Sequence, residues 1–346
     1  MPRGLRIALT ISLCLLATMG PPVRADAISD FYKGHTVTFV IGYPPGGAYD
    51  LYARLIARNI GHHLPGSPSV NVQNMPGAGS LSAANHVANL APQDGTYVVA
   101  TGAALPFAPM LDPTAARFDA SKVQWLPSPA SFVALMIASS AAPAKTFADL
   151  QANEVLMGTL NPGATPSFYA AILNDVLKTR IKLVYGYDSM SQAMLALQRG
   201  EVHGYPTAPA DSMKRTYAKL VASGDLRILL QIGGKPSPDY SGVPFILDLA
   251  KSDEDRQILD VSLGSLKIGY PYFMGPQVPA DRVNAMRQAM LDCFSDPALM
   301  AEAATQNLEI NPVTGEEVEA IVKAAYGAPA SIIDRLKGIY QKQMAQ

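Results

Sequence analysis

Cysteine is almost missing from this chain: of 346 residues only Cys14 and Cys293 carry a thiol. Cys14 lies inside an apolar N-terminal run, so once that run is removed no internal disulfide can form and stability has to come from a buried core. Charge is sparse and balanced, with 16% charged residues and a formal net charge of −1. That leaves no basic field for nucleic acid or for an anionic membrane surface. No apolar run reaches the ~18 residues of a membrane span. The serine elbow Gly-x-Ser-x-Gly and the His-Glu-x-x-His metal pair are both missing. Gly77-Ala-Gly79 lacks the third glycine of a dinucleotide fingerprint, because Ser82 stands in its place. The histidines His35, His62, His63, His86 and His203 are scattered, and adjacent side chains such as His62 and His63 diverge on a helix. No metal, no cofactor and no catalytic residue are therefore expected.

At the N-terminus stand Arg3 and Arg6, an apolar run from Ile7 to Met19, Pro21-Pro22, and small residues at Val23-Arg-Ala25 or Ala25-Asp-Ala27. This is the tripartite layout of a cleaved secretory signal, expected to span residues 1–27. Cys14 sits within the run and not at its end, so it is read as removed and not lipidated. Without Arg3, Arg6 and Arg24 the mature chain carries a charge near −4. About 320 mature residues exceed what one core usually serves, so two lobes are expected.

The strongest local pattern follows directly. The β-branched run Val37 to Ile41 gives way to Pro44-Pro-Gly-Gly47, and then to Leu51, Leu55 and Ile56 at helical spacing, which reads as strand, tight loop and helix. The first turn of a helix has N–H groups without intrahelical partners and carries the positive end of the dipole, so such a loop can hold an anion without a basic side chain. Ser69 to Gln73, Leu81 to Leu90 and Thr96 to Thr101 continue a strand and helix alternation. That implies a parallel sheet, with the loops Tyr43 to Tyr49, Pro76 to Ser80 and Thr101 to Ala104 on one rim.

A second alternation begins near Ser139. It comprises strands at Glu154 to Leu160, Lys182 to Tyr185, Val202 to Tyr205 and Leu226 to Ile232, and helices at Ser167 to Lys178 and Ser189 to Arg199. A helix-rich tail starts at Pro279. The expected fold class is α/β, a two-lobed periplasmic-binding-protein (Venus flytrap) fold with a mostly parallel sheet in each lobe. Residues 28–126 with 237–346 make the first lobe and 127–236 the second, with proline-rich hinges at Pro127 to Pro129 and Lys235 to Pro238.

Pro-Pro-Gly-Gly followed by Asp50 and Ala53-Arg54, Asn74-Met-Pro-Gly-Ala-Gly79 and Ala91-Pro-Gln-Asp-Gly-Thr96, in this order, resemble the solute-binding proteins of tripartite tricarboxylate transporters, the Bug/TctC-like family. The similarity continues through Gly186-Tyr187, Ala196-Leu-Gln-Arg-Gly-Glu-Val202, Leu226-Arg227, Val243-Pro244 and the tail from Val278-Pro279. The resemblance implies a periplasmic protein, expected to be a monomer, that closes over a small-molecule carboxylate and delivers it to the membrane permease of a tripartite transporter. A ligand-sensing co-receptor and an exported enzyme are the alternatives. Two departures stand out. Ala48-Tyr49 replaces the hydroxyl residue that many members have soon after the second glycine, and His203 stands where an acid is common.

The expected ligand contacts are Tyr43, Gly46, Gly47, Ala48, Tyr49 and Asp50, with Thr101 and Gly102 beside them. Gly163, Thr165, Tyr187, Asp188, His203 and Tyr205 are expected on the opposing wall. Four of these are tyrosines, which combine an apolar ring with a polar tip and favour a ligand with an apolar or aromatic body; a dicarboxylate stays open. Asp50 is also expected to hold loop N–H groups, and Asp188 to cap the helix that follows. His203 could donate to a carboxylate or cap a buried network.

Overall fold

Among the described residues, ten strands build two five-stranded sheets: β1 (Thr36–Ile41), β2 (Ser69–Asn74), β3 (Tyr97–Ala100), β4 (Gln124–Leu126), β5 (Ala134–Ser139), β6 (Val155–Gly158), β7 (Ile181–Val184), β8 (Gly204–Pro209), β9 (Leu226–Ile232) and β10 (Tyr272–Met274). The computed structural model of the protein describes residues 23–346. Most of the expected signal segment lies outside them. Ile28 and Tyr32, both buried, follow both expected cleavage points.

The first sheet has the order β2-β1-β3-β10-β4, and the second β7-β6-β8-β5-β9. β1 is parallel to β2 and β3, and β6 is parallel to β7 and β8. β10 and β5 run antiparallel to both of their neighbours. β1 is buried along all but its first residue, as a central strand covered by helices on both faces must be. β2, at the edge, alternates between exposed and half-buried. The helices Ala48–Asn59 and Ala280–Ser295 cover one face of the first sheet; Leu81–Asn89 and Gly315–Tyr326 cover the other.

The chain passes between the lobes at 127–133, and its return falls later than residue 237. Phe245, Ile246, Ile258, Leu259 and Leu266 pack in the core of the second sheet, and Ile268 is the first residue back in the core of the first. Lys235 to Pro238 is thus a loop of the second lobe and not a crossing. The chain passes over once more at 327–329, so the C-terminal helix Ala330–Met344 places Ile332, Leu336 and Ile339 in the second lobe's core. Apolar burial decides these positions: the helix Asp253–Ser262 finds its partners, Leu173 and Val176, in the second lobe. Cys293 is fully buried in the first lobe, and burial, with the nearby Asp296 charge, pushes its thiol up to about 12.

Candidate ligand-binding site

The three parallel strands of the first sheet end at one rim, and their loops are bonded to each other. Asp50, in the first turn of the helix Ala48–Asn59, is 2% exposed. Its carboxylate accepts from Gly46 N–H (2.9 Å), Arg54 Nε (2.9 Å) and Asn74 Nδ2 (2.8 Å). Asn74 Nδ2 also donates to the Tyr43 carbonyl (2.8 Å), and Arg54 Nη2 donates to Asn74 Oδ1 (2.7 Å). Burial raises the Asp50 carboxyl, but the hydrogen bonds from Arg54, Asn74 and Gly46 outweigh it and hold the group below the usual carboxylate value. Asp50 therefore fixes the loop in place and faces away from a ligand. Arg54 is committed to the same task.

What the loop presents outward is backbone. Pro44 to Ala48 are exposed. Gly46 has φ +93°, a conformation that favours glycine, and a Cβ on Gly47 would enter open space. Gly47 is the N-cap of the twelve-residue helix and has no side chain to cap it, so the first-turn N–H groups are left to solvent or to an anion.

Beside this loop the Tyr43 and Tyr49 rings stack at 4.5 Å with 12° between their planes, and Tyr270 meets Tyr49 edge-on at 5.2 Å. Tyr52 lies 4.2 Å from Tyr270 and continues the cluster toward the crossing segment, where Phe132 is 5.9 Å from Tyr270. Burial pushes the Tyr43 and Tyr49 phenols up, so both are neutral. Gly102 N–H donates to Ser80 Oγ (3.0 Å), and Ala103 N–H donates to the Tyr49 hydroxyl (3.1 Å). Ser80 is fully buried at φ +77°, and Ala78 has φ +46°. Such left-handed non-glycine residues cost of order 1–3 kcal/mol each and gather at functional sites.

On the second lobe, the segments after β6 and β8 meet the first, and the loop after β7 is bonded to the β6 end, with Gly186 N–H on the Leu160 carbonyl. Gly163 and Thr165 line a narrow apolar gap with Ala104, Phe107 and Met110. Tyr187 is half-buried over Gly158, and Asp188 is exposed. The helix Met190–Gln198 is capped by Ser189, which accepts from Gln192 N–H; Asp188, expected in that role, instead exchanges hydrogen bonds with Gln192.

Nearer the crossings, a cavity of about 640 Å³ lies between Asp211 and Lys214 of the second lobe and Glu309 and Asn311 of the first. Arg215 Nη2 donates to the Asn307 carbonyl across the lobes (2.7 Å). A hydrogen bond shared with Asp211, then burial, pushes the Glu309 carboxyl up to about 7.

Of the fourteen expected contacts, the structure brings Tyr43, Gly46, Gly47, Ala48 and Tyr49 together on one rim and Gly163, Thr165, Tyr187 and Asp188 on the other. The remaining five are occupied elsewhere. Asp50 is the loop's internal anchor. Thr101 is fully buried, with its N–H and hydroxyl both on the Pro271 carbonyl. Gly102 is buried against Tyr43. His203 Nδ1 accepts from Leu156 N–H (3.0 Å) and so closes the ladder between β6 and β8. Tyr205 is 4% exposed in the second lobe's core. Sequence reading missed Ser80, Tyr52 and Tyr270. Ser80 was within reach, as the end of the Pro76 to Ser80 rim loop, whereas Tyr270 enters from a segment with no local signal.

No protein-family model matches the chain. Over 250 residues it is 27% identical to a UPF0065 protein of Cupriavidus necator, covering 70% of this chain and 72% of that one. A shorter match, 33% identical over 93 residues and 27% of either chain, is to protein BugT of Bordetella pertussis. Among solved structures, a TctC solute-binding protein from Polaromonas without ligand aligns with a TM-score of 0.67 at 20% identity, over 90% of this chain and 99% of that one. A Rhodopseudomonas palustris protein with adipate aligns with a TM-score of 0.61 at 19% identity, over 89% and 97%. MatC of the same organism with bound malate gives 0.59 at 18%, over 88% and 99%. The structural likenesses carry the two-lobed periplasmic-binding-protein fold, and in sequence the chain is similar to the UPF0065 and BugT proteins.

Proposed function

We propose that this protein captures a small organic carboxylate in the periplasm by closing its lobes and delivers it to a tripartite-type membrane permease. The observation that carries this reading is the outward-facing Gly46-Gly47 backbone at the N-terminus of the helix Ala48–Asn59, held in shape from behind by the buried Asp50. A carboxylate there is bound by N–H groups and the helix dipole. The rest of the ligand reaches Tyr187, Asp188, Gly163 and Thr165 on the second lobe. A ligand that touches both rims favours the closed arrangement by its difference in affinity for the two states, and the closed surface is what a permease recognises. Malate and adipate in the related structures support the ligand class.

Thermal shift against a panel of aliphatic and aromatic mono-, di- and tricarboxylates tests this reading. An acid present at 100 times its dissociation constant adds about 2.7 kcal/mol to stability, and recovery of the acid unchanged separates binding from turnover. No shift with any carboxylate overturns the proposal.

A further inference from the structure

We propose that Tyr270 is the positioning residue through which the anion loop sets the hinge, and that the turn Ile268–Tyr270 is the pivot of lobe closure. The inference rests on the closure reading above. It starts from the backbone of the returning chain. Leu266 packs in the core of the second lobe and Ile268 in that of the first, so the chain changes lobes between them. Directly after, Gly269 has φ +74° and ψ −82°, and Tyr270 N–H donates to the Ile268 carbonyl (3.0 Å). This is a γ-turn of the rare, strained hand, at a residue that can adopt it.

The turn lies on the outgoing chain. A side chain at Gly269 would collide with the Ala130 carbonyl. Tyr270 N–H also reaches Ser128 Oγ (3.1 Å), whose hydroxyl donates to that same carbonyl (3.1 Å), and Phe132 N–H donates to the Leu266 carbonyl (3.2 Å). Two of the three passages between the lobes are thus joined at one point. The third is bonded elsewhere: Gly327 and Ala328 N–H donate back into the helix they leave (2.9 and 3.2 Å).

The side chain of Tyr270 connects this point to the site. Its ring meets Tyr49, in the first turn of the anion-loop helix, at 5.2 Å, Tyr52 of the same helix at 4.2 Å, and Phe132 of the outgoing passage at 5.9 Å, all within the range of aromatic contact. Neither helix tyrosine is free to yield. Tyr49 stacks on Tyr43 and accepts from Ala103 N–H, and the Tyr52 hydroxyl donates to the Glu309 carbonyl (2.8 Å) and accepts from Glu309 N–H (3.1 Å). Packed rings exchange one arrangement for another and do not deform smoothly. An anion drawn onto the first helical turn therefore bears, through Tyr49 and Tyr270, on the γ-turn and on Phe132 together.

Calorimetry with malate, adipate, citrate and benzoate finds the acids that the wild type binds, and small-angle scattering reads the fall in its radius of gyration at saturation. Tyr270→Leu keeps an apolar side chain and the turn but loses the ring contacts. It is expected to bind about tenfold more weakly and, when saturated, to show less than about half of the wild-type fall. Tyr270→Phe keeps all three contacts and is expected to match the wild type in both. A purely structural role would lower the melting temperature of Tyr270→Leu and leave the fall at saturation unchanged; that result overturns the inference while the closure reading stands. Should Tyr270→Leu fail to fold, Phe132→Leu, which breaks the contact with the outgoing passage, is expected to show the same loss, and a full fall in that variant overturns the inference. Wild-type binding without any fall overturns the closure reading, no binding of the four acids overturns the anion-loop reading, and this inference goes with either.

Discussion

The first rim is tied together from behind: Asp50 holds Gly46 and Asn74, Ser80 holds Gly102, and Tyr49 holds Ala103. On the second rim, Asp188 bonds only to Gln192 of its own helix, and the exposed Gly186 has nothing within 4 Å of where a side chain would start. The contrast separates two tasks. A donor set that is already in place loses little on binding, so the first rim can supply affinity for the group that all ligands share. A rim whose side chains are free to change can supply the choice among ligands without disturbing that affinity.

The comparison breaks most visibly at Gly47. Gly47→Val places a branched side chain over the helix end, in space that is now open. Carboxylate affinity should fall by about 100-fold or more, roughly 2.7 kcal/mol, with an unchanged melting temperature. Wild-type affinity in titration calorimetry would remove the helix end from the site.

Next in size is the anchor. Asp50→Ala leaves Gly46 N–H, Arg54 and Asn74 without their acceptor, and hydrogen bonds to charged groups contribute about 1.5–3 kcal/mol. Denaturant unfolding should show a loss of that order, together with weaker binding. Because the folded Asp50 carboxyl is held below its unfolded value, its contribution is present above the unfolded value. It is lost as pH falls toward the folded one, so the gap between wild type and Asp50→Asn should narrow in acid.

On the second rim the expectation inverts. Tyr187→Ala and Asp188→Asn should reorder a ligand panel by about tenfold, ~1.4 kcal/mol. Asp188→Asn, an exposed change, should shift stability by no more than about 0.5 kcal/mol. Equal effects on every ligand would end the division of labour.

The smallest effect expected is on the contact between Glu309 and Asp211. With Glu309 raised from 4.5 to about 7, the apposed lobes bind a proton more readily than the separated ones, so the contact weakens as pH rises through that window. Small-angle scattering of the ligand-free protein should show a more open average shape at pH 8 than at pH 5.5. Glu309→Gln should flatten that dependence.

Much of the first rim was legible because it is local. A β-branched strand, a proline and glycine loop and a helix period occupy one stretch of chain, and the acid four residues after Gly46 reads as a loop anchor. What was not legible depends on distant partners or on which face a strand presents. β4 and β10 are three residues each and exist through their pairing with one another and with β3. Tyr205 reads as a rim residue because it ends the strand expected at Val202 to Tyr205, but the strand runs from Gly204 to Pro209, so Tyr205 is inside it and turns into the core beside Leu135 and Met194. His203 lies one residue before the strand, where its ring meets a backbone N–H of β6. The return between the lobes was set too early because the segment after Lys235 looks irregular in sequence, while its apolar residues belong to the second core.

The burial of Cys293 has a practical consequence. It is the one thiol among the described residues, fully covered, and its ionisation is pushed up to about 12. A reagent that needs a thiolate will leave it alone at neutral pH. Cysteines introduced at Ala115 and Lys219, exposed positions on the two lobes away from the site, would then take a donor and acceptor dye pair selectively. The chain so labelled would report the distance between its lobes in solution, and an acid that draws them together would register as a shorter one.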